Sequence, residues 1–207
     1  MLGRATMPLL RAEGHVVFAP SRAELDLFDP GAVSEAVAGM DAVLHLATRI
    51  PPPGVRDDRE AWRENDLLRR AAPALLVDAA LATAVRVYIQ PSVTFVYPSE
   101  GPVDEETPPA DVPEILRSAL DAEAAAMRFA AAAGRRGVVL RLGLLDGPGT
   151  DDVSPDPRFG ATLHTEDAGR ALVAALPIPS GIYNVCRDGE RVSNEMFRRV
   201  SGWRPRQ

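Results

Sequence analysis

Three polar side chains follow a buried apolar segment near the middle of the chain. Ser92, Thr94 and Tyr97 lie just after the run VRVYIQP, which has the composition of a buried strand. Arg117 lies on a predicted helix that should pack opposite this strand. A phenol can donate a proton, and a guanidinium can bind an anionic substrate. These four residues are the candidate catalytic residues, although strand-end hydroxyls and arginines on a helix surface are more often structural.

Lysine is absent from the sequence, since all 23 basic residues are arginine. Arginine does not lose its proton inside a protein, so it cannot form a Schiff base or relay a proton. Every mechanism that needs a lysine amine is therefore excluded.

The three histidines, His15, His45 and His164, do not have the spacing of metal ligands, and no metal site is predicted. His15 and His45 flank or lie in apolar strands and are expected to be structural. His164 is expected to bond a backbone carbonyl at the start of a helix.

The composition is that of a globular protein of about one domain. Of the 207 residues, 46% are hydrophobic and 25% are charged, and the net charge is −6. No run approaches the ~18 consecutive apolar residues of a membrane span, and no secretory signal is visible. The single cysteine, Cys186, excludes an internal disulfide and favours a cytoplasmic location. The acidic balance and scattered arginines give no sign of nucleic-acid binding.

Apolar runs alternate with helical patterns along most of the chain. Five segments are predicted to be strands: HVVFA, DAVLHLA, VRVYIQP, GVVLRLGLL and GIYNVC. Helices are predicted over 3–13, 29–40, 59–82, 114–133 and 166–175, with Asp29 as the N-cap of the second. Continuously apolar strands separated by helices are typical of a parallel sheet covered on both faces. The sequence therefore predicts a doubly wound α/β fold whose binding crevice lies beyond the carboxyl ends of the strands.

Seven segments of the chain match, in order, the motifs of one known family. They are LGRATMPLLRAEGHVV, LDLFD, DAVLHLAT, WREND, LRLGLLDGPG, LHTEDAGRALVAAL and GIYNVC. Together they resemble the extended and atypical short-chain dehydrogenase/reductases, often called NAD-dependent epimerase/dehydratases. The resemblance implies one Rossmann-like domain over 1–207, with a dinucleotide-binding core at 1–145 and a reduced substrate-covering region at 146–207. It also implies NADP or NAD as cofactor, a small-molecule substrate, and a homodimer paired through the two long helices.

By this resemblance, the cofactor would contact seven residues: Gly3, Arg22, Asp26, Leu27, Leu46, Ala47 and Thr48. Gly3 would be the third glycine of a loop that places a pyrophosphate at a helix N-terminus. Arg22 lies where a positive side chain would meet a 2′-phosphate, which favours NADP over NAD. The alternative for Arg22 is a loop arginine in water, and the residues alone do not separate the two.

The family's proton relay, a Ser or Thr together with a Tyr-x-x-x-Lys pair, is missing on this alignment. Val93, Ile115 and Ala119 occupy its three positions. In the family, the lysine lowers the pKa of the tyrosine so that the phenol exchanges a proton near neutral pH. The chain therefore resembles an atypical subfamily without ordinary relay chemistry.

The beginning of the chain leaves two explanations open. On the same alignment, Met1 falls between the second and third loop glycines, and the family's first strand has no counterpart. Either the native chain begins further upstream, or the truncation is real and dinucleotide binding is altered.

Three functions are compatible with these residues. The first is an atypical NAD(P)-binding enzyme that acts on a small hydroxylated or carbonyl metabolite. The second is a cofactor-independent lyase, cyclase or isomerase on a degenerate form of the same fold. The third is a non-catalytic protein that senses a dinucleotide or metabolite. Fold alone does not decide among them, and the first is favoured because the resemblance extends over the whole fold.

Overall fold

A parallel sheet forms the centre of the molecule, whose computed structural model describes residues 1–150 and 160–206. The strands are β1 (Ala42–Leu44), β2 (Val87–Val93), β3 (Arg136–Leu142), β4 (Leu144–Asp146), β5 (Thr162–His164) and β6 (Gly181–Val185). The central sheet has the order β1–β2–β3–β6, and β4 and β5 form a separate parallel pair. The predicted parallel α/β architecture is confirmed.

Helices cover both faces of this sheet. They are α1 (Leu2–Ala12), α2 (Pro30–Val37), α3 (Arg63–Leu81), α4 (Glu114–Ala130), α5 (Thr165–Ala174) and α6 (Glu195–Ser201). Helices α2, α3 and α4 pack on one face, whereas α5 and α6 pack on the other, where α1 lies against α5. Among the residues described, no helix is both long and apolar enough to cross a membrane.

Successive residues of the inner strands face the two helix layers in turn. Tyr88 and Val139 lie in the cluster formed with α2, α3 and α4, whereas Ile89, Val138 and Leu140 lie in the cluster formed with α5 and α6. Because neighbouring side chains of a strand point to opposite faces, a sheet covered on both faces needs continuously apolar strands. This is the physical basis of the apolar runs seen in the sequence.

Gly137 allows helix α4 to lie directly against the sheet. A Cβ atom at this position would lie 2.0 Å from the carbonyl oxygen of Ala126. Gly169 has the same role between α5 and α1, since a Cβ atom there would lie 2.9 Å from the backbone of Ala5.

The strand predicted at HVVFA is wrong, because residues 15–19 have no strand conformation. Val16 is 100% exposed and Phe18 is 58% exposed. Strand β1 is an edge of the sheet, and within the described ranges no strand pairs with its outer side. A strand needs a neighbouring strand to bond its N–H and C=O groups. The apolar pattern of HVVFA was therefore insufficient to predict a strand.

Side chains cap two of the helices. The Asp29 carboxylate accepts hydrogen bonds from the N–H groups of Gly31 and Ala32, which confirms the predicted cap of α2. The prediction for His164 is wrong, since its Nδ1 accepts from the N–H of Glu166 at 3.4 Å instead of donating to a carbonyl.

Strand β5 and helix α6 were not predicted from the sequence. Part of the loop DGPGTDDVSPDPRFG lies outside the described residues.

Candidate functional site

Three polar residues form a row near the carboxyl end of the central sheet. The register pairs Ser92 of β2 with Arg141 of β3, and Arg141 with Asn184 of β6. Residues in register on neighbouring strands share a face of the sheet, so the three side chains point to the same side. All three are buried, and each therefore needs a hydrogen-bond partner.

Glu123 of α4 supplies the partner for two of them. The Ser92 hydroxyl donates to Glu123 Oε1 at 2.5 Å. Arg141 donates from Nε to Oε1 at 3.0 Å and from Nη2 to Oε2 at 2.7 Å. Burial lowers the pKa of Arg141, but the hydrogen bonds and charge of Glu123 oppose this, and the net shift is upward. The network therefore keeps a positive guanidinium near the carboxyl end of the central sheet.

Tyr97 connects the Glu123–Arg141 pair to Asn184 of strand β6. The Arg141 guanidinium lies over the Tyr97 ring, with Cζ 4.8 Å from the ring centre, which is a cation–π contact. The Tyr97 hydroxyl donates to Asn184 Oδ1 at 2.9 Å. Burial raises the pKa of Tyr97, so the phenol is a hydrogen-bond donor and not a base near neutral pH.

Glu105 links the network to a groove on the protein surface. Its carboxylate accepts the backbone N–H of Asn184 at 2.8 Å, and burial raises its pKa. Glu105 also borders a groove of about 570 Å³ between the 104–106 loop and α6. Arg198, Arg199 and Arg204 line the same groove. Four acidic residues, Glu105 among them, line it as well, so the groove carries charges of both signs and gives a small polar molecule access to the network from this side.

The remaining predicted catalytic residues do not join this network. Thr94 is completely buried, and its hydroxyl has no hydrogen-bond partner among the described residues. Arg117 is exposed on α4. The structure thus connects Ser92 and Tyr97 through Glu123 and Arg141, and leaves Thr94 and Arg117 apart from them. Their catalytic roles stay predictions.

The two helical positions that the resemblance assigns to the family relay lie on one face of α4. Ile115, Ala119 and Glu123 are spaced four residues apart and therefore line the same side of the helix. Ile115 is half-buried, Ala119 is buried and Glu123 is the residue that holds Ser92 and Arg141. An apolar surface thus continues directly from the ionic pair to the first turn of α4.

Two predicted cofactor segments meet at the beginning of α3. Arg22 Nη1 forms an ion pair with Glu64 Oε1, and Arg49, next to Thr48, has Nε 3.7 Å from Glu64 Oε2. The backbone N–H of Arg49 also donates to Asn65 Oδ1 at 3.1 Å. The side chains of Arg22 and Arg49 are 81% and 69% exposed. The loops that contain the two arginines are therefore held together by one carboxylate.

The other predicted cofactor residues surround these contacts. Gly3 lies in the first turn of α1, and a Cβ atom there would meet nothing within 4 Å. Asp26 accepts the N–H of Phe28 at 2.9 Å, and Leu27 packs against the cluster of α2 and α3. After β1, Leu46 and Ala47 are half-buried and Thr48 is exposed. Their contacts with a cofactor stay predictions.

His45 is a buried neutral residue at the end of β1. Its Nδ1 donates to Gln90 Oε1 at 3.1 Å, and the Tyr88 hydroxyl donates to the same oxygen. Burial lowers the pKa of His45 to about 4, with a smaller contribution from nearby Arg69. Its burial and its bond to Gln90 are those of a residue inside the fold, and its structural role stays a prediction.

Sequence reasoning missed Glu123, Arg141, Asn184, Arg49 and Glu64. Two signals were present for the first pair: Arg141 interrupts an apolar strand, and Glu123 continues the spacing of Ile115 and Ala119. A charged side chain inside a buried strand needs a partner of opposite charge. That partner is expected on the helix face that packs against the strand. Glu64 offered no such signal, because its contacts join distant loops.

The model of the NAD dependent epimerase/dehydratase family matches residues 1–163. The chain is 34% identical over 199 residues to a 3-diazoavenalumate denitrifying reductase from a Streptomyces species, covering 87% of this chain and 62% of that relative's length. Two similar solved structures are MoeE5 in complex with UDP-glucuronic acid and NAD, and RMD from Pseudomonas aeruginosa complexed with NADPH. Each has a TM-score of 0.79 and 19% identity; the match to MoeE5 covers 100% of this chain and 91% of MoeE5, and the match to RMD covers 99% and 90%. The chain belongs to the NAD-dependent epimerase/dehydratase family.

Proposed function

We propose that this protein is a nicotinamide-dinucleotide-dependent reductase of a small metabolite in which no Tyr–Lys pair delivers the proton. The observation that carries the proposal is the apolar surface of α4 beside the Glu123–Arg141 pair, formed by Ile115 and Ala119. The resemblance assigns the family's relay to these two positions. An isoleucine and an alanine have no proton to exchange. Hydride transfer that needs no proton from these positions is the chemistry that this surface supports best.

The residues present fit a dinucleotide in two respects. Gly3 leaves open space at the first turn of α1, which allows close approach of a phosphate to a helix N-terminus. Arg22 and Arg49 offer exposed guanidinium groups beside the loop of Asp26 and Leu27, which would hold the adenosine end. Leu46, Ala47 and Thr48 would line the path toward the carboxyl end of β2. When bound, the reduced cofactor would supply a hydride.

The substrate would lie between that path and the polar network. Tyr97 donates its single hydroxyl proton to Asn184, so its role would be to position the polar side of the site. Arg141, whose charge Glu123 balances, would hold the Tyr97 ring in place through the cation–π contact. The groove beside Glu105, which both carboxylates and arginines line, would admit a polar substrate. Ile115 and Ala119 would keep water away from the reacting atoms.

Two substrate classes follow from the sequence and from the comparison. A carbonyl compound becomes an alkoxide on hydride addition and needs a proton, which Tyr97 would have to provide from a buried position. A diazonium compound carries its own leaving group: a C–H bond forms, the C–N bond breaks and N₂ leaves, so no proton is required. The apolar relay positions and the denitrifying activity named for the 34% identical relative favour the second class.

The test compares these classes under the same conditions. The purified chain is incubated with NADPH or NADH and with an aromatic carboxylic acid that bears either a diazonium or an aldehyde group. We expect dinucleotide oxidation and N₂ release with the diazonium compound, above the rate without protein. Oxidation with the aldehyde alone would contradict the substrate class, and no oxidation with either compound would contradict the proposed function.

A further inference from the structure

Glu64 lies between Arg22 and Arg49 at the proposed adenosine site. Arg22 contacts one oxygen of its carboxylate, and Arg49 lies 3.7 Å from the other. These residues are distant in the chain and come from a loop before α2, a loop after β1 and the first turn of α3. One carboxylate thus occupies a position at which two guanidinium groups converge.

Two convergent arginines form a binding site for an anion with several oxygens. Here the anion is part of the protein, so the site is occupied without a ligand. A phosphate that entered between Arg22 and Arg49 would have to displace the Glu64 carboxylate or share the arginines with it. A carboxylate at this distance also repels a phosphate.

We infer that Glu64 determines the choice between NADP and NAD by competing with the 2′-phosphate for Arg22 and Arg49. The inference rests on the proposed function, because it requires that a dinucleotide binds with its adenosine end at Arg22. It adds a second phosphate-binding arginine, Arg49, and a residue of opposite charge that lowers the advantage of the phosphorylated cofactor.

The contacts of Glu64 with Arg22 and Arg49 are exposed to solvent, which limits their effect on the affinity for NADPH. The Glu64 side chain is 37% exposed and both arginines are more exposed. Exposed charge pairs are weak, and they become weaker as salt increases. Removal of the competing charge should therefore change the affinity for NADPH by about two- to fivefold at low ionic strength.

The experiment is calorimetric titration of the full chain with NADPH and NADH at low and high salt. Glu64→Gln should bind NADPH about two- to fivefold more tightly than the unaltered chain, with a smaller change for NADH. Arg49→Ala should weaken NADPH binding by a similar factor, and in the double variant the gain from Glu64→Gln should shrink. High salt should reduce all of these differences.

Glu60→Gln is the matched control, because Glu60 precedes the same helix and pairs only with exposed Arg63 at 3.3 Å among the described residues. It should leave the ratio of the two affinities unchanged. If both dinucleotides bind and Glu64→Gln does not alter their ratio, the role of Glu64 is contradicted while the proposed function stands. If neither dinucleotide binds the unaltered chain or Glu64→Gln, the proposed function fails and this inference fails with it.

Discussion

Glu123 and Arg141 join helix α4 to strand β3 through two parallel hydrogen bonds of 3.0 and 2.7 Å. Only 4% of the Arg141 side chain and 6% of the Glu123 side chain are exposed. Charges buried to this degree persist only when they are paired and hydrogen-bonded. Ser92 donates to Glu123 and the Tyr97 ring packs against Arg141. The positions of both predicted catalytic side chains therefore depend on this ion pair.

Replacement of Glu123 by Gln should strongly destabilise the fold, because the buried Arg141 charge loses its counter-ion. The expected loss is about 3–5 kcal/mol in the free energy of unfolding, measured by urea denaturation. The double variant Glu123→Leu with Arg141→Met should lose less than the single variant. Asp121→Asn is the control, since it breaks the exposed pair with Arg70 and should cost at most about 1 kcal/mol.

Stability should fall as the pH decreases toward 4, partly because of His45. The folded-state pKa is about 4 and the reference value is 6.5, so between these values the unfolded chain binds a proton that the folded chain does not. Above pH 6.5 the residue is neutral in both states and contributes nothing to the pH dependence. The full effect is about 3 kcal/mol.

His45→Asn should flatten this part of the profile of unfolding free energy against pH, while keeping a donor for Gln90. His15→Asn, at an exposed position, is the matched control. An identical pH profile for His45→Asn and the unaltered chain would show that His45 is not the group that titrates.

Gly137→Ala should separate α4 from the sheet, since its new Cβ would lie 2.0 Å from the Ala126 carbonyl oxygen. We expect a loss of about 1–3 kcal/mol, from urea denaturation, because a well-packed core must shift. Gly54→Ala is the control, since a Cβ atom there meets nothing within 4 Å. Equal stability of the two variants would contradict the close approach of α4 to β3.

Tyr97→Phe and Arg117→Ala test the predicted catalytic residues. Tyr97→Phe leaves Asn184 Oδ1 without its donor and should cost about 1–3 kcal/mol of stability, whereas Arg117→Ala should have little effect because Arg117 is exposed. Because reduction of the diazonium substrate takes no proton from Tyr97, both variants should act on substrate binding and raise KM more than they lower kcat, measured with folded protein. Full activity of both would contradict the site assignment.

The amino-acid sequence determined the layers of this fold, because apolar runs and helical spacing are local patterns with a direct physical meaning. The apolar composition of VRVYIQP and GVVLRLGLL predicted inner strands, and Asp29 predicted the start of α2. The motifs in their order also indicated the family, since they sample the whole chain. The absence of lysine excludes amine chemistry by composition alone, because no arrangement of the chain can supply a residue type that it lacks.

Only the tertiary structure decided which side chains meet. Ser92, Arg141 and Asn184 come together because three strands are in a particular register, and sequence spacing does not contain that register. The segment HVVFA has the composition of a strand, but among the residues that the structure describes no strand lies beside it, and pairing is a property of the sheet. Arg22 and Glu64 are 42 positions apart, and their contact exists only because the loop before α2 and the first turn of α3 fold against each other.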